Sequence, residues 1–109
     1  MAPDFDTIAA VATGPAPGAI GIVRLSGRAS FAIVSRLLRG RTFSESTAVS
    51  HRIYHGCIHD PDTGQPIDEV LLLVFREPHS YTGENVVEIS CHGGPYVLSR
   101  VLDAAVAAG

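Results

Sequence analysis

The chain has 109 residues, of which 46% are hydrophobic and 17% are charged, and this composition is typical of one folded domain with no room for a second. All eight basic residues are Arg, so the glycine-rich stretch GPAPGAIG is not a phosphate-binding P-loop, which requires a lysine. The formal net charge of −3 argues against direct nucleic-acid binding by this chain.

The N-terminal half is predicted to contain two strands and a helix. Strands are predicted at 5–13 and 19–25, with the turn-forming GPAPG between them. A helix is predicted at 28–39, with Ser26 as its N-cap and Gly40 as its stop. Its apolar residues recur at helical spacing: Phe31, Val34, Leu37 and Leu38. The polar, aperiodic stretch GRTFSESTAVS that follows is predicted to be a surface loop.

The C-terminal half is predicted to contain three strands and a second helix. The strands lie at 51–59, 69–76 and 85–91, and DPDTG forms a tight turn between the first two. The helix begins after Gly93 and Gly94, with Pro95 at its first position, where the missing N–H costs little. The order ββαβββα predicts an α+β fold in which two helices cover one side of a mixed β-sheet.

The two cysteines are too few for a disulfide framework, and nothing in the sequence resembles a secretory leader. No apolar run approaches the ~20 residues that a membrane-spanning helix requires. We therefore expect reduced thiols, a cytoplasmic location and no membrane partner. The amphipathic VLDAAVAAG at the end leads us to expect a fragment of a longer protein.

The stretch SYTGENVVEISCHGGP gathers several reactive side chains. Strand alternation places Glu88, Ser90 and His92 on one face and Cys91 on the other, which argues against a Cys–His nucleophile pair. A hydrolytic set built on Ser90 and His92 is an alternative. It is weakened because side chains two apart on a strand stand roughly 6.5 to 7 Å apart, and a mid-strand hydroxyl lacks the sharp turn that exposes a nucleophile.

Glu88 and Arg24 are charged residues inside otherwise apolar strands. Arg24 shares its predicted face with Ile20 and Ile22, and Glu88 lies within VVEI. A partly buried charge needs a partner or a ligand. Both a mutual salt bridge and a pocket that offers a guanidinium and a carboxylate to a heterocycle are consistent with this pattern.

Two weaker candidate sites remain. In HRIYHGCIH the residues His51, His55, Cys57 and His59 fall on one predicted face, and a zinc enzyme using the last three is an alternative. Solvated histidines on a half-exposed strand would give the same pattern. Free N–H groups at Gly93-Gly94 could bind an anion, or the glycines could serve only a close strand-to-helix turn.

Three blocks of the sequence resemble the N-terminal domain of the MnmE (TrmE) family of tRNA-modifying GTPases. They are DTIAAVATGPAPGAIGIVRLSG, DPDTGQPIDEVLLLVF and SYTGENVVEISCHGGPYVLSRVL. They occur in the family's order and cover well over half of the chain. The resemblance implies that residues 1–109 form a single folate-binding and dimerisation domain, with a fold related to the folate-binding modules of aminomethyltransferases.

The resemblance also implies ligands and partners. The expected cofactor is 5-formyltetrahydrofolate or 5,10-methylenetetrahydrofolate, and GTP, Mg²⁺ and K⁺ would belong to a G domain that this chain lacks. The expected partners are a second copy of the chain and, for the whole protein, the flavoprotein MnmG and a tRNA whose wobble uridine is modified. This chain alone is not expected to be catalytic.

Carried over by motif, the folate-contacting arginine of the family falls on Arg24 and the carboxylate on Glu88. Gly93 and Gly94 are weaker candidates for backbone contacts with the cofactor. A further basic contact of the family would lie beyond Gly109.

Overall fold

The computed structural model describes residues 7–12, 20–38, 43, 48–80 and 82–109. Within them the chain forms five strands and two helices in the predicted order ββαβββα. The elements are β1 (Ile8–Val11), β2 (Ile20–Ser26), α1 (Ser30–Leu37), β3 (Arg52–His59), β4 (Pro66–Phe75), β5 (Val86–His92) and α2 (Pro95–Ala108). The predicted turn GPAPG and most of the predicted loop after α1 lie outside the described residues.

The five strands form one sheet in the order β1-β2-β5-β4-β3, and every neighbouring pair is antiparallel. The predicted mixed sheet is therefore wrong. A strand–helix–strand passage usually joins neighbouring parallel strands. Here the passage through α1 carries the chain from β2 to β3 at the far edge, and β5 later pairs between β2 and β4.

Both helices pack on one face of the sheet, which we call the helix face. Phe31 and Leu37 of α1 and Val101 of α2 are fully buried against it. Gly21 faces α2 so closely that an added Cβ would lie 2.6 Å from Leu98 Cδ2. The sheet contributes these residues to the same core: Val23, Leu25, Ile58, Val70, Leu72, Val74, Val87 and Ile89. Burial of this apolar surface is the main contribution to the stability of the fold.

The boundaries of the helices differ in how well the sequence predicted them. α2 begins at Pro95 after Gly94 as its N-cap, as predicted. The prediction that Ser26 caps α1 is wrong, because β2 continues through Ser26 and the chain then turns at Gly27, whose φ is 138°. The N-cap of α1 is Ala29.

The tight turn between β3 and β4 is confirmed. Asp60 Oδ1 accepts the backbone N–H groups of Asp62 and Thr63 at 2.8 and 3.1 Å, and Gly64 has a φ of 75°. These two hydrogen bonds stabilise the carboxylate and lower the pKa of Asp60. No helix in the described part of the chain combines the length and the apolar character needed to cross a membrane.

Candidate functional site

The second face of the sheet, which we call the open face, carries Arg24 and Glu88 at its centre. The register pairs Arg24 with Glu88 directly across β2 and β5. Glu88 faces away from the core formed by its neighbours Val87 and Ile89 because side chains alternate along β5. The predicted alternation, which separated Glu88 from its neighbours Val87 and Ile89, is therefore confirmed.

Arg24 and Glu88 form an ion pair. Arg24 donates from Nε and Nη2 to the same carboxylate oxygen, Glu88 Oε2, at 2.8 and 2.5 Å. The Glu88 side chain is only 9% exposed, whereas that of Arg24 is 35% exposed. The salt bridge considered from the sequence is thus present, and it compensates the burial of the carboxylate.

The other oxygen of Glu88 is available to a ligand. Within the described residues Oε1 accepts no hydrogen bond, and no buried side-chain oxygen or nitrogen there lacks a partner, so Oε1 has access to solvent. Glu88 lines a cleft of about 480 Å³ on the open face. Among the described residues, the other lining residues of this cleft, which we call the Glu88 cleft, are His51, Leu73, Phe75, His79 and Ser80. The salt bridge and the pocket are therefore compatible, since Arg24 occupies only one carboxylate oxygen.

A loop fixes one wall of the Glu88 cleft. Ser26 Oγ lies 2.8 Å from Thr82 Oγ1 and 3.0 Å from Glu84 Oε1. Ser80 donates its hydroxyl to the carbonyl of Glu84 at 2.5 Å. Ser26, at the end of β2, thus anchors the loop that brings His79 and Ser80 to the cleft. The prediction that Ser26 caps a helix missed this function.

Gly93 and Gly94 do not line the Glu88 cleft. They follow β5, and Gly93 lies five residues beyond Glu88, about 16 Å along an extended strand. An added Cβ at Gly94 would meet no atom within 4 Å, so packing does not require a glycine there. Any backbone contact of the kind predicted for them would therefore lie far from Glu88.

The described hydrogen bonds do not give Ser90, His92 and Glu88 the geometry of a hydrolytic site. His92 Nδ1 lies 2.7 Å from Asp68 Oδ1, and the His92 backbone N–H donates to Asp68 Oδ2 at 2.9 Å. Ser90 makes no hydrogen bond to His92 among the described contacts, and Glu88 is engaged by Arg24. Asp68 was missed from the sequence because it meets His92 only through the pairing of β4 with β5, which a single strand pattern does not reveal.

The zinc alternative is also unsupported. His55 Nε2 lies 3.4 Å from Glu69 Oε2, while His59 Nδ1 lies 3.0 Å from the carbonyl oxygen of Cys57. A register shift between Ile58 and His59 breaks the alternation on which the predicted common face depended. Across the described ranges, no three His, Cys, Asp or Glu side chains are arranged to hold a metal ion.

Comparison with known proteins identifies the family. The family described as "GTP-binding protein TrmE N-terminus" matches residues 7–109. The chain belongs to this family. A tRNA modification GTPase MnmE from Syntrophobacter fumaroxidans is 50% identical over 104 residues, covering 95% of the chain and 22% of that relative. The corresponding protein of Thermus thermophilus is 48% identical over 104 residues, covering 95% of the chain and 24% of its own length.

A third relative gives the same result. The tRNA modification GTPase MnmE of Levilactobacillus brevis is 42% identical over 106 residues, which cover 97% of the chain and 22% of that protein. The resemblance found in the three sequence blocks is therefore confirmed. The chain spans less than a quarter of the length of these relatives.

Proposed function

We propose that the chain is the N-terminal domain, residues 1–109, of a cytoplasmic tRNA-modifying GTPase, and that it binds a one-carbon tetrahydrofolate and joins two subunits. Its fold would be of the folate-binding type related to aminomethyltransferase modules. GTP, Mg²⁺ and K⁺ would be bound by a separate G domain, and MnmG and tRNA would be partners of the whole protein. The observation that carries the proposal is the carboxylate of Glu88, held by Arg24 through one oxygen and presented to a cleft through the other.

The residues of the cleft fit a reduced pterin. The cleft volume of about 480 Å³ is within the range usual for small-molecule sites. Glu88 Oε1 would accept an N–H of the ring, and Leu73 and Phe75 provide apolar surface. Arg24 would keep the carboxylate ionised and oriented. When bound, 5-formyl- or 5,10-methylenetetrahydrofolate supplies the one-carbon unit. Gly93 and Gly94 would contact only a distant part of the cofactor.

Dimerisation is supported by apolar side chains that remain exposed on the open face. Ile20 and Ile53 are each 64% exposed, and Leu71 is 45% exposed. A second copy of the chain covering them would remove this apolar surface from water. Light scattering of the chain at high concentration tests this step, and a monomer at every concentration would contradict it.

Calorimetric titration with 5-formyltetrahydrofolate tests the folate site. The protein should be the chain extended to the full length of its relatives, because a further contact is expected beyond Gly109. Arg24→Ala and Glu88→Gln should each weaken binding by at least tenfold, since one removes the orienting charge and the other the acceptor charge. Ser90→Ala, on the same face of β5, is the matched control and should bind normally. Absence of binding by the unmodified protein would contradict the proposed function, and normal binding by both site variants would contradict the site.

A further inference from the structure

His51 lies at the other side of the Glu88 cleft. It immediately precedes β3, and β4 separates β3 from β5, so its backbone is about two strand spacings, or 10 Å, from that of Glu88 in the direction across the sheet. Its ring contacts Phe75 in a T-shaped arrangement, with the centroids 5.4 Å apart. Phe75 and Leu73 therefore lie between two polar groups, the carboxylate of Glu88 and the imidazole of His51.

Ser50 engages one of the two ring nitrogens of His51. The backbone N–H of Arg76 donates to Ser50 Oγ at 2.9 Å. Ser50 Oγ also lies 2.9 Å from His51 Nδ1. A hydroxyl has one proton and two acceptor lone pairs, so Ser50 can accept from Arg76 and at the same time donate its own proton to Nδ1. In that arrangement the neutral imidazole carries its proton on Nε2, and Nε2 has no hydrogen-bond partner among the described residues.

The backbone of His51 is held in an unfavourable conformation. Its φ of 62° is in the left-handed region, which residues with a Cβ rarely adopt. A hydrogen bond of 2.6 Å from the His51 N–H to the carbonyl of Val74 holds this conformation at the end of the sheet. Glycine would adopt it without strain, so the backbone geometry does not explain why a histidine stands there.

We propose that His51 is a second ligand-binding residue of the Glu88 cleft, which donates its Nε2–H to a carbonyl or carboxylate oxygen of the bound folate. The cleft then has an acceptor at one side, Glu88 Oε1, and a donor at the other. It selects ligands that present an N–H and an oxygen at opposite ends of a flat apolar body. This proposal rests on the proposed folate function and adds to it a residue that determines specificity.

Because the backbone of His51 is left-handed, its imidazole can be removed by substitution with glycine without straining the backbone. His51→Gly removes the imidazole and suits the observed φ, so the variant should melt at the same or a higher temperature than the unmodified protein. In calorimetric titration of the full-length protein with 5-formyltetrahydrofolate, it should bind about 3- to 10-fold more weakly, as expected for one lost hydrogen bond. His51→Asn, which also tolerates this φ and keeps an N–H donor, should recover part of the loss.

His55→Ala is the matched control, because His55 is an exposed histidine of β3 that does not line the Glu88 cleft. It should bind like the unmodified protein. If His51→Gly also binds normally while Arg24→Ala and Glu88→Gln do not, the role of His51 is refuted and the folate site stands. If the unmodified protein binds no folate, both proposals fail together.

Discussion

The two faces of the sheet contrast most clearly along β5, where consecutive residues alternate between them. On the helix face Val87 and Ile89 are fully buried in one continuous apolar core. On the open face Glu88 is held by an ion pair, and His92 is held by Asp68. Nearby apolar residues on this face, such as Leu71, stay substantially exposed.

The difference separates the stability of the fold from the ligand recognition that we propose. The helix face is packed mainly through apolar contacts, so it can tolerate little change in volume. The open face keeps charged groups near water and leaves a cleft beside them, at some cost in unburied apolar surface. The single strand β5 therefore contributes to both the core and the Glu88 cleft, because its side chains point alternately to the two faces.

The largest expected difference in stability between the two faces is found at two adjacent residues of β5. Ile89→Ala should lower the free energy of unfolding by about 2–5 kcal/mol, because it leaves a cavity in the core between the sheet and the helices. Ser90→Ala, one residue away on the open face, should change it by less than about 0.5 kcal/mol. Urea denaturation measures both. Equal losses of unfolding free energy would show that side chains on the helix face do not contribute more to stability than those on the open face.

The second effect concerns the ion pair on the open face. Arg24→Ala should destabilise the protein by about 1–3 kcal/mol, because Glu88 is left as a nearly buried charge without its partner. The loss is smaller than for a fully buried pair because water reaches the guanidinium. In the double variant Arg24→Leu with Glu88→Leu, the loss of unfolding free energy should be well below the sum of the losses in the two single leucine variants. Additive losses in denaturation would show that the two side chains are not coupled.

The parts of this structure that a local pattern determines were predictable from the sequence. Alternation within VVEISCH placed Glu88 and Cys91 on opposite faces, and Pro95 after two glycines marked the start of α2. Arg24 and Glu88 could be matched because each is a charge in an apolar strand, where only a partner or a ligand makes it tolerable.

The parts that depend on strand pairing were not predictable in the same way. The antiparallel direction of the sheet, the contact of Asp68 with His92 and the position of His51 beside Phe75 all depend on which strands become neighbours. Ser26 looked like a helix cap because serine suits that position, but Ser26 belongs to β2 and its hydroxyl contacts Thr82 and Glu84 in the loop before β5 instead. Long-range contacts decided each of these cases.

The smallest expected effect is the pH dependence of stability that arises from the thiol of Cys91. Strand alternation places this thiol on the helix face, away from His92. Burial, with a smaller contribution from the charge of Asp68, raises the pKa of Cys91 to about 11. Folding therefore favours the neutral thiol, and this stabilisation is complete below the ordinary thiol pKa and is lost as the pH rises towards 11. At pH 10 the loss should be about 1 kcal/mol. Cys91→Ala should lack this component of the pH dependence, while Cys57→Ala should retain it, as followed by denaturation between pH 7 and pH 10. An identical pH dependence in all three proteins would show that Cys91 ionises as readily in the folded chain as in the unfolded one, and that the helix face does not exclude water at the end of β5.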